Sequence, residues 1–335
     1  VAKKGLVFIN IGTPEDLSVG AVKKYLRLFL MDKYVIDLPF PIRWVLVNMI
    51  IAPFRAKKSF EAYKEIWSDK GSPLEVYTKE LVEDATKSLN DSWHVEYAMS
   101  YSNPFISDVL DTLNKKGVEE IYVLPMYPQY AESTSRSTIE AALEWGEKNS
   151  SVKIKTLEYF FDHVSFVKSS KDKISQQIKT LDNDTHYLFS YHGLPFRHVK
   201  KLHPKHCKND KSCCSTLDEN NEFCYRAQCH HTTEILAKEL GLKDYSYSFQ
   251  SRLGKDQWLL PYTVNHVAEL AKSGKKKIAV LPYAFTIDCL ETEEEIEAEV
   301  QEAFKEAGGE HFHRVECLNR DFSKVLDEKF FESFS

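Results

Sequence analysis

The chain has 335 residues, 43% of them apolar and 28% charged, with a formal charge of −6. That length exceeds one ordinary core and suits two domains of ordinary size, and the composition is that of a soluble globular chain. No basic face outweighs the acids, which excludes a general nucleic-acid binder.

The opening VAKKGLVFIN lacks a long apolar h-region and a small-residue cleavage site, so no signal peptide is expected. Its run GLVFINI (5–11) reads as a buried strand that ends on GTP (12–14). Next comes PFPIRWVLVNMIIAPFRAKK (39–58). Its longest apolar run, VLVNMIIAPF, contains Asn48 and Pro53 and is too short to span a bilayer. It is apolar on all sides, with Trp44 and flanking Arg43, Arg55, Lys57 and Lys58. That pattern reads either as a buried helix or as a lip touching a membrane. HVEYAMSY (94–101), EIYVLPMY (120–127) and VKIKTLEYF (152–160) follow as strands. Between the first two, PFISDVLDTLNKKG has helical periodicity and ends at Gly117, as helices often do.

HYLFSYH (186–192) is the next strand, and it runs into SYHGLP with His192 at its carboxyl end. A bond to a neighbouring carbonyl explains many such histidines; a place at the mouth of a cleft makes this one a candidate for chemistry. Gly193 is expected to let the backbone turn there. Five of the seven cysteines then fall between Cys207 and Cys229, spaced Cys207-x5-Cys213-Cys214-x9-Cys224-x4-Cys229. Clustering in one short segment, with an odd total, points to metal rather than to a disulfide framework. A helix, TTEILAKELG, ends at Gly241, and the strands YSYSFQS (245–251), KIAVLPYA (277–284) and HRVECL (313–318) complete the set.

Between the last two strands lies DCLETEEEIEAEV (288–300), where Glu291, Glu295 and Glu299 recur every four residues and share one helix face. Part of this is helix-start chemistry, because Asp288-x-x-Glu291 and Thr292-x-x-Glu295 resemble capping boxes and early acids suit the positive helix end. A row continuing two turns down is not explained that way; it suits the passage of a cation or of protons.

The order of elements repeats. EYAMSY, a helix ending KKG and EEIYVLPMY correspond to YSYSFQS, a helix ending KSG and KKIAVLPYA. Strand, helix, glycine and strand-Pro in the same order predict two related lobes. The expected architecture is α/β: two Rossmann-like lobes, residues 1–160 and 161–335, each a parallel four-stranded sheet flanked by helices. The lip 39–58 falls in the first lobe and a cysteine-rich insert, 203–229, in the second. Ligands sit beyond the carboxyl ends of such strands, which places GTP, PMYPQY, HGLP and YAFTID around a shared cleft. Tyr101, Tyr127, Tyr130, Tyr283, Phe285 and Trp258 recur at those ends and would suit a flat apolar ligand, although core packing is the usual fate of such residues.

At INIGTP, YLRLFLMDKYVIDLP, AYKEIWSDKGSPL, PMYPQYAESTS, SYHGLP, FQSRLGKDQWLLPYT and YAFTIDCLET the chain resembles ferrochelatases, in order and over nearly its whole length. The resemblance implies a lyase that inserts Fe2+ into protoporphyrin IX to form protohaem, with a porphyrin cleft between the lobes. Coproporphyrin or another tetrapyrrole as substrate, or a non-catalytic porphyrin or metal carrier, are the alternatives. By this resemblance His192 is the cleft histidine and Glu291 the glutamate facing it, these two handling the metal and the pyrrole protons. Asp288, Glu295 and Glu299 lie on or near an acidic path. Ile11, Tyr101, Gln129, Tyr130, Ser133, Trp258 and Phe285 are porphyrin-side positions.

Some bacterial members hold a 2Fe–2S cluster through an internal cysteine segment, and four thiolates are what that cluster needs. Four of Cys207, Cys213, Cys214, Cys224 and Cys229 are therefore expected to bind it, with Cys213 or Cys214 the spare one. Structural zinc, helped by His203 or His206, and loose thiols are the other readings. Protoporphyrin IX and Fe2+ are the implied partners, and the location implied is cytoplasmic, at the inner membrane surface if the lip touches lipid. The chain departs from many relatives at Ser100, where an arginine is common, and at Cys289, where some carry histidine. Glu132 and the ending KFFESFS replace the terminal cysteine ligands of animal members.

Overall fold

The computed structural model describes residues 3–208, 212–252, 254 and 256–335. Residues 209–211 of the cysteine segment, and Leu253 and Lys255 of FQSRLGKDQWLLPYT, lie outside the described residues. The strands expected from the sequence are present: β1 (Lys4–Asn10), β2 (Trp93–Met99), β3 (Glu120–Pro125), β4 (Lys153–Thr156), β5 (His186–His192), β6 (Tyr245–Gln250), β7 (Lys277–Leu281) and β8 (His311–Arg314). They form two four-stranded sheets, ordered β2-β1-β3-β4 and β6-β5-β7-β8, and every pairing is parallel. The same order in each sheet is the internal repeat made structural. Strands covered by helices on both faces read as continuous apolar runs, as LVFI of β1 and IAVL of β7 do.

The last strand starts earlier than HRVECL suggests. Lys277 to Val280 of β7 pair with His311 to Arg314, and after one more bond, from Val315 N–H to the Val280 carbonyl, the chain leaves the sheet. Val315, Cys317 and Leu318 are buried there as irregular chain, so their apolar character reflects burial rather than strand pairing.

The chain forms two compact units. One holds the chain up to Tyr127, Glu132–Tyr159 and Phe322–Ser335; the other holds Pro128–Ala131 and Phe160–Asp321. In the first, Val7, Ile9, Leu110, Leu113, Ile121 and Val123 make the core between β1, β3 and the helix Ile106–Lys115. In the second, Leu188, Ile278, Val280, Ile296, Val300 and Phe304 do so. The final residues pack on the first sheet, not within the second lobe where a division at 160 puts them. Phe322 meets Phe8 edge-on at 6.3 Å, Phe331 lies 4.5 Å from Trp93, and Thr156 and Ser335 exchange two backbone hydrogen bonds.

Residues 39–58 form a helix (Phe40–Val45), a wide π-helical stretch (Leu46–Ile51) and the start of a longer helix (Ala52–Ile66). The buried-helix reading of this segment does not hold. Phe40, Met49 and Phe54 are 61, 62 and 79% exposed, and Ile42, Trp44, Val45 and Ile50 are exposed as well. Among the described residues, no helix is long and apolar enough to cross a membrane.

Candidate active site

The second unit places His192 as the last residue of β5, beyond the point where β7 stops pairing with that strand at Phe189. The chain continues through Gly193, whose N–H donates to the Gln250 carbonyl at 2.7 Å. Gly193 is needed for closeness rather than for a turn. A Cβ there would come within 2.6 Å of that carbonyl oxygen and 3.3 Å of the Trp258 ring. Leu194 and Phe196 bond to Leu259 and Gln257, so the loop lies against the segment that carries Trp258. Phe285 stands edge-on to the imidazole, ring centres 6.2 Å apart. Burial lowers the His192 pKa below the ordinary histidine value, and the Glu291 charge opposes this. The imidazole is therefore neutral and able to accept a proton at physiological pH.

His192 and Glu291 both belong to this unit, within electrostatic reach of each other. Glu291 opens a helical stretch, Glu291–Val300, that is a π-helix rather than the α-helix expected from its periodicity. Such wide turns are rare and occur frequently at functional sites. The Cys289 thiol donates to Glu291 Oε2 at 3.1 Å. Glu295 accepts from the Ser251 N–H at 2.7 Å, from the Ser251 hydroxyl and from Gln250 Nε2 at 3.3 Å. Burial pushes its pKa up to about 7 against the Ser251 hydrogen bond, with the Glu291 charge adding to the rise. Glu299, the next position along the row, is exposed. The row thus runs from partly buried to open.

Asp288 is not available to that row. It is 1% exposed, and its carboxylate accepts from Thr292 Oγ1 (2.8 Å), Arg314 Nη1 (2.8 Å), the Cys317 N–H (3.2 Å) and Asn319 Nδ2 (2.7 Å). Four donors leave no oxygen lone pair for a passing ion. The expected capping boxes do not form either: no side chain caps the helical stretch, and Thr292 Oγ1 takes the Cys289 N–H and donates to Asp288.

Of the other positions expected to face a porphyrin, Ile11, Tyr101 and Ser133 fall in the first unit and Gln129 and Tyr130 in the second. The Tyr101 hydroxyl donates to Asp32 at 2.6 Å and its ring lies against Phe29. Ser133 sits on the π-turn Glu132–Arg136. Gln129 is buried and spends its amide on Thr232 Oγ1 and the Tyr283 carbonyl, and the Tyr130 N–H donates to Gln228. These two brace their own unit against the helix Tyr225–Leu240.

Sequence reading missed Gln250. Its backbone carbonyl holds Gly193, its side chain takes the Ser190 hydroxyl and donates to the Glu291 carbonyl and to Glu295, so one residue ties the histidine loop to the acidic row. The only signal was its place at a strand end. Glu293 was also missed: burial lifts its pKa to about 7, Asp288 adding to the rise and Arg314 opposing it.

In the cysteine segment, Cys213 and Cys214 lie on a short turn (Ser212–Cys214) and Cys224 precedes the helix Tyr225–Leu240. Arg226 is buried beside them, donating from Nε to Cys214 Sγ at 3.2 Å and from Nη2 to Cys213 Sγ at 3.5 Å. Burial raises Cys214 to about 12 and Cys224 to about 11, while burial of Cys213 is outweighed by the Lys208 N–H and Arg226, which lower it. The Arg226 guanidinium favours the thiolate form that a cluster ligand needs, while burial opposes it at Cys214 and Cys224. Among the described residues, however, no three His, Cys, Asp or Glu side chains are gathered so as to hold one metal ion.

Two four-stranded parallel sheets of the same strand order, flanked by helices, make an α/β fold of the chelatase type. The structure is similar to SirB from Bacillus subtilis with Fe3+, at a TM-score of 0.56 and 12% identity, covering 99% of this chain and 95% of that one. It is also similar to the sirohydrochlorin chelatase SirB from Bacillus subtilis subspecies spizizenii in complex with cobalt, at a TM-score of 0.53 and 10% identity, with the same coverage. A ferrochelatase family profile matches residues 3–330. The chain is 43% identical to a ferrochelatase of Bdellovibrio bacteriovorus over 95% of both chains. It is 41% identical to one of Coxiella burnetii, over 95% of this chain and 89% of that one, and 40% identical to one of Pseudomonas putida over 94% of both. The chain belongs to the ferrochelatase family, the lyases that insert iron into a porphyrin.

Proposed function

We propose that this ferrochelatase forms protohaem from Fe2+ and protoporphyrin IX, with His192 as the proton acceptor and Glu291 and Glu295 as the outlet for protons. The observation that carries the assignment is a half-buried imidazole at a strand end, edge-on to Phe285 and held below its ordinary pKa by burial, with the Glu291 carboxylate in electrostatic reach. Two pyrrole N–H protons leave for each Fe2+ that enters. A neutral imidazole takes a proton as the ring nitrogens turn to the metal. Glu295, with a pKa of about 7, both accepts and releases a proton near neutrality, and exposed Glu299 opens the row to solvent. Trp258 and Phe285, beside His192, offer apolar surface to the macrocycle. A rigid surface that bends the ring would expose its nitrogen lone pairs and lower the barrier. Anaerobic insertion assays with Fe2+ and each porphyrin test the substrate: turnover is expected with protoporphyrin IX, and turnover with coproporphyrin alone would overturn that assignment.

The cysteine segment is proposed to hold a 2Fe–2S cluster through four of Cys207, Cys213, Cys214, Cys224 and Cys229. Soft donor chemistry and Arg226 support this reading; gathering the thiols would require the segment to close around the cluster. The cluster would supply visible absorbance and a structural clamp. Equal iron and sulfide in protein purified without oxygen is the expected result; a colourless preparation with one zinc would contradict it.

The exposed apolar face of Phe40, Ile42, Met49 and Phe54, flanked by basic residues, is proposed to rest on the cytoplasmic surface of the inner membrane. Flotation with anionic liposomes is expected to carry the protein, and a Phe40→Ser/Phe54→Ser double variant is expected to stay behind. Wild-type protein left wholly in the soluble fraction would remove the membrane role.

A further inference from the structure

The peptide that follows His192 is held at both ends. Its carbonyl accepts from the Tyr225 hydroxyl at 2.8 Å, and its N–H, that of Gly193, donates to the Gln250 carbonyl at 2.7 Å. Rotating this peptide, and with it the direction of the imidazole, requires both bonds to break. Tyr225 is buried and packed near Phe249.

Tyr225 also sits in the first turn of its helix between two residues committed to the cysteine segment. Cys224 precedes it at the helix start. Arg226 follows it and holds the Cys213 and Cys214 thiols and the Lys208 carbonyl. One turn on, the buried Cys229 thiol lies within electrostatic reach of the Tyr225 side chain. A shift of this turn, in response to what the thiols hold, moves the phenol and the His192 carbonyl together.

We propose that Tyr225 is a positioning residue that ties the cysteine segment to the backbone of His192, an inference that rests on His192 being the proton acceptor. Through this tie a segment with no part in the insertion chemistry would bear on turnover. Tyr225→Phe keeps the ring and removes only the hydroxyl. In this variant kcat is expected to fall about tenfold, with the KM for porphyrin within about twofold. Amide hydrogen exchange at Gly193 should be about tenfold faster for the lost bond, with iron and zinc content unchanged. Cys214→Ser, which loosens the Arg226 contact, is expected to speed Gly193 exchange in the wild-type background and to add nothing in the Tyr225→Phe background. Wild-type kcat and Gly193 exchange in Tyr225→Phe would overturn the tie, as would a Cys214→Ser variant with unaltered Gly193 exchange. His192→Ala separates the two ideas. If it still turns over, the proton-acceptor reading fails; if it is dead while Tyr225→Phe behaves as wild type, only the tie fails.

Discussion

Glu295 carries a folded-state pKa of about 7 where an unburied glutamate titrates near 4.5. A carboxyl raised in this way binds its proton more tightly in the folded chain. Its contribution to stability is present below the unfolded pKa and is lost as pH rises through about 7. The full shift corresponds to a cost on the order of 3 kcal/mol once the group is ionised. Denaturant unfolding is therefore predicted to show stability falling between about pH 4.5 and pH 7, with a flatter profile in Glu295→Gln. Parallel profiles would mean that Glu295 titrates normally. Asp288 behaves differently: Asp288→Asn leaves the buried Arg314 guanidinium without its closest carboxylate, predicted to cost about 3–5 kcal/mol in urea unfolding. A loss below about 1 kcal/mol, as for an exposed pair, would contradict the buried clamp. The i, i+4, i+8 spacing made Glu295 and Glu299 readable. It could not show that Asp288 meets Arg314 and Asn319, which lie 26 and 31 residues further along the chain.

At the scale of elements, strands and helices were readable because parallel strands buried on both faces are continuous apolar runs and helix ends carry glycine. Gly241, with φ of 66°, is such an end. The π-helix was not readable, because its residues also fit an α-helical pattern. Nor was the reason for Gly193, since a sequence shows that a side chain is absent but not what occupies its space. Gly193→Ala is predicted to displace the loop from Gln250 and to lower iron insertion at least tenfold while circular dichroism still reports a folded chain. Activity near wild type in Gly193→Ala would show that the loop has room to give.

Across the whole molecule, the repeated strand order was legible in two matched sets of strand, helix, glycine and strand-Pro. The return of Phe322–Ser335 to the first sheet was not, because a short aromatic tail fits any apolar surface. Removing these residues uncovers Phe8, Trp93 and Tyr122, each worth about 1.5–3 kcal/mol when buried, and is predicted to abolish the cooperative thermal transition. A sharp transition in the shortened chain would mean that the tail is an ornament. Iron insertion by this chain depends, on the proposed function, on the imidazole at the end of β5 taking pyrrole protons. Anaerobic Fe2+ insertion by His192→Ala, measured beside fluorescence titration of porphyrin binding, tests it most directly. Turnover at least a hundredfold below wild type with porphyrin affinity within about threefold is the predicted result, and turnover at the wild-type rate would contradict it.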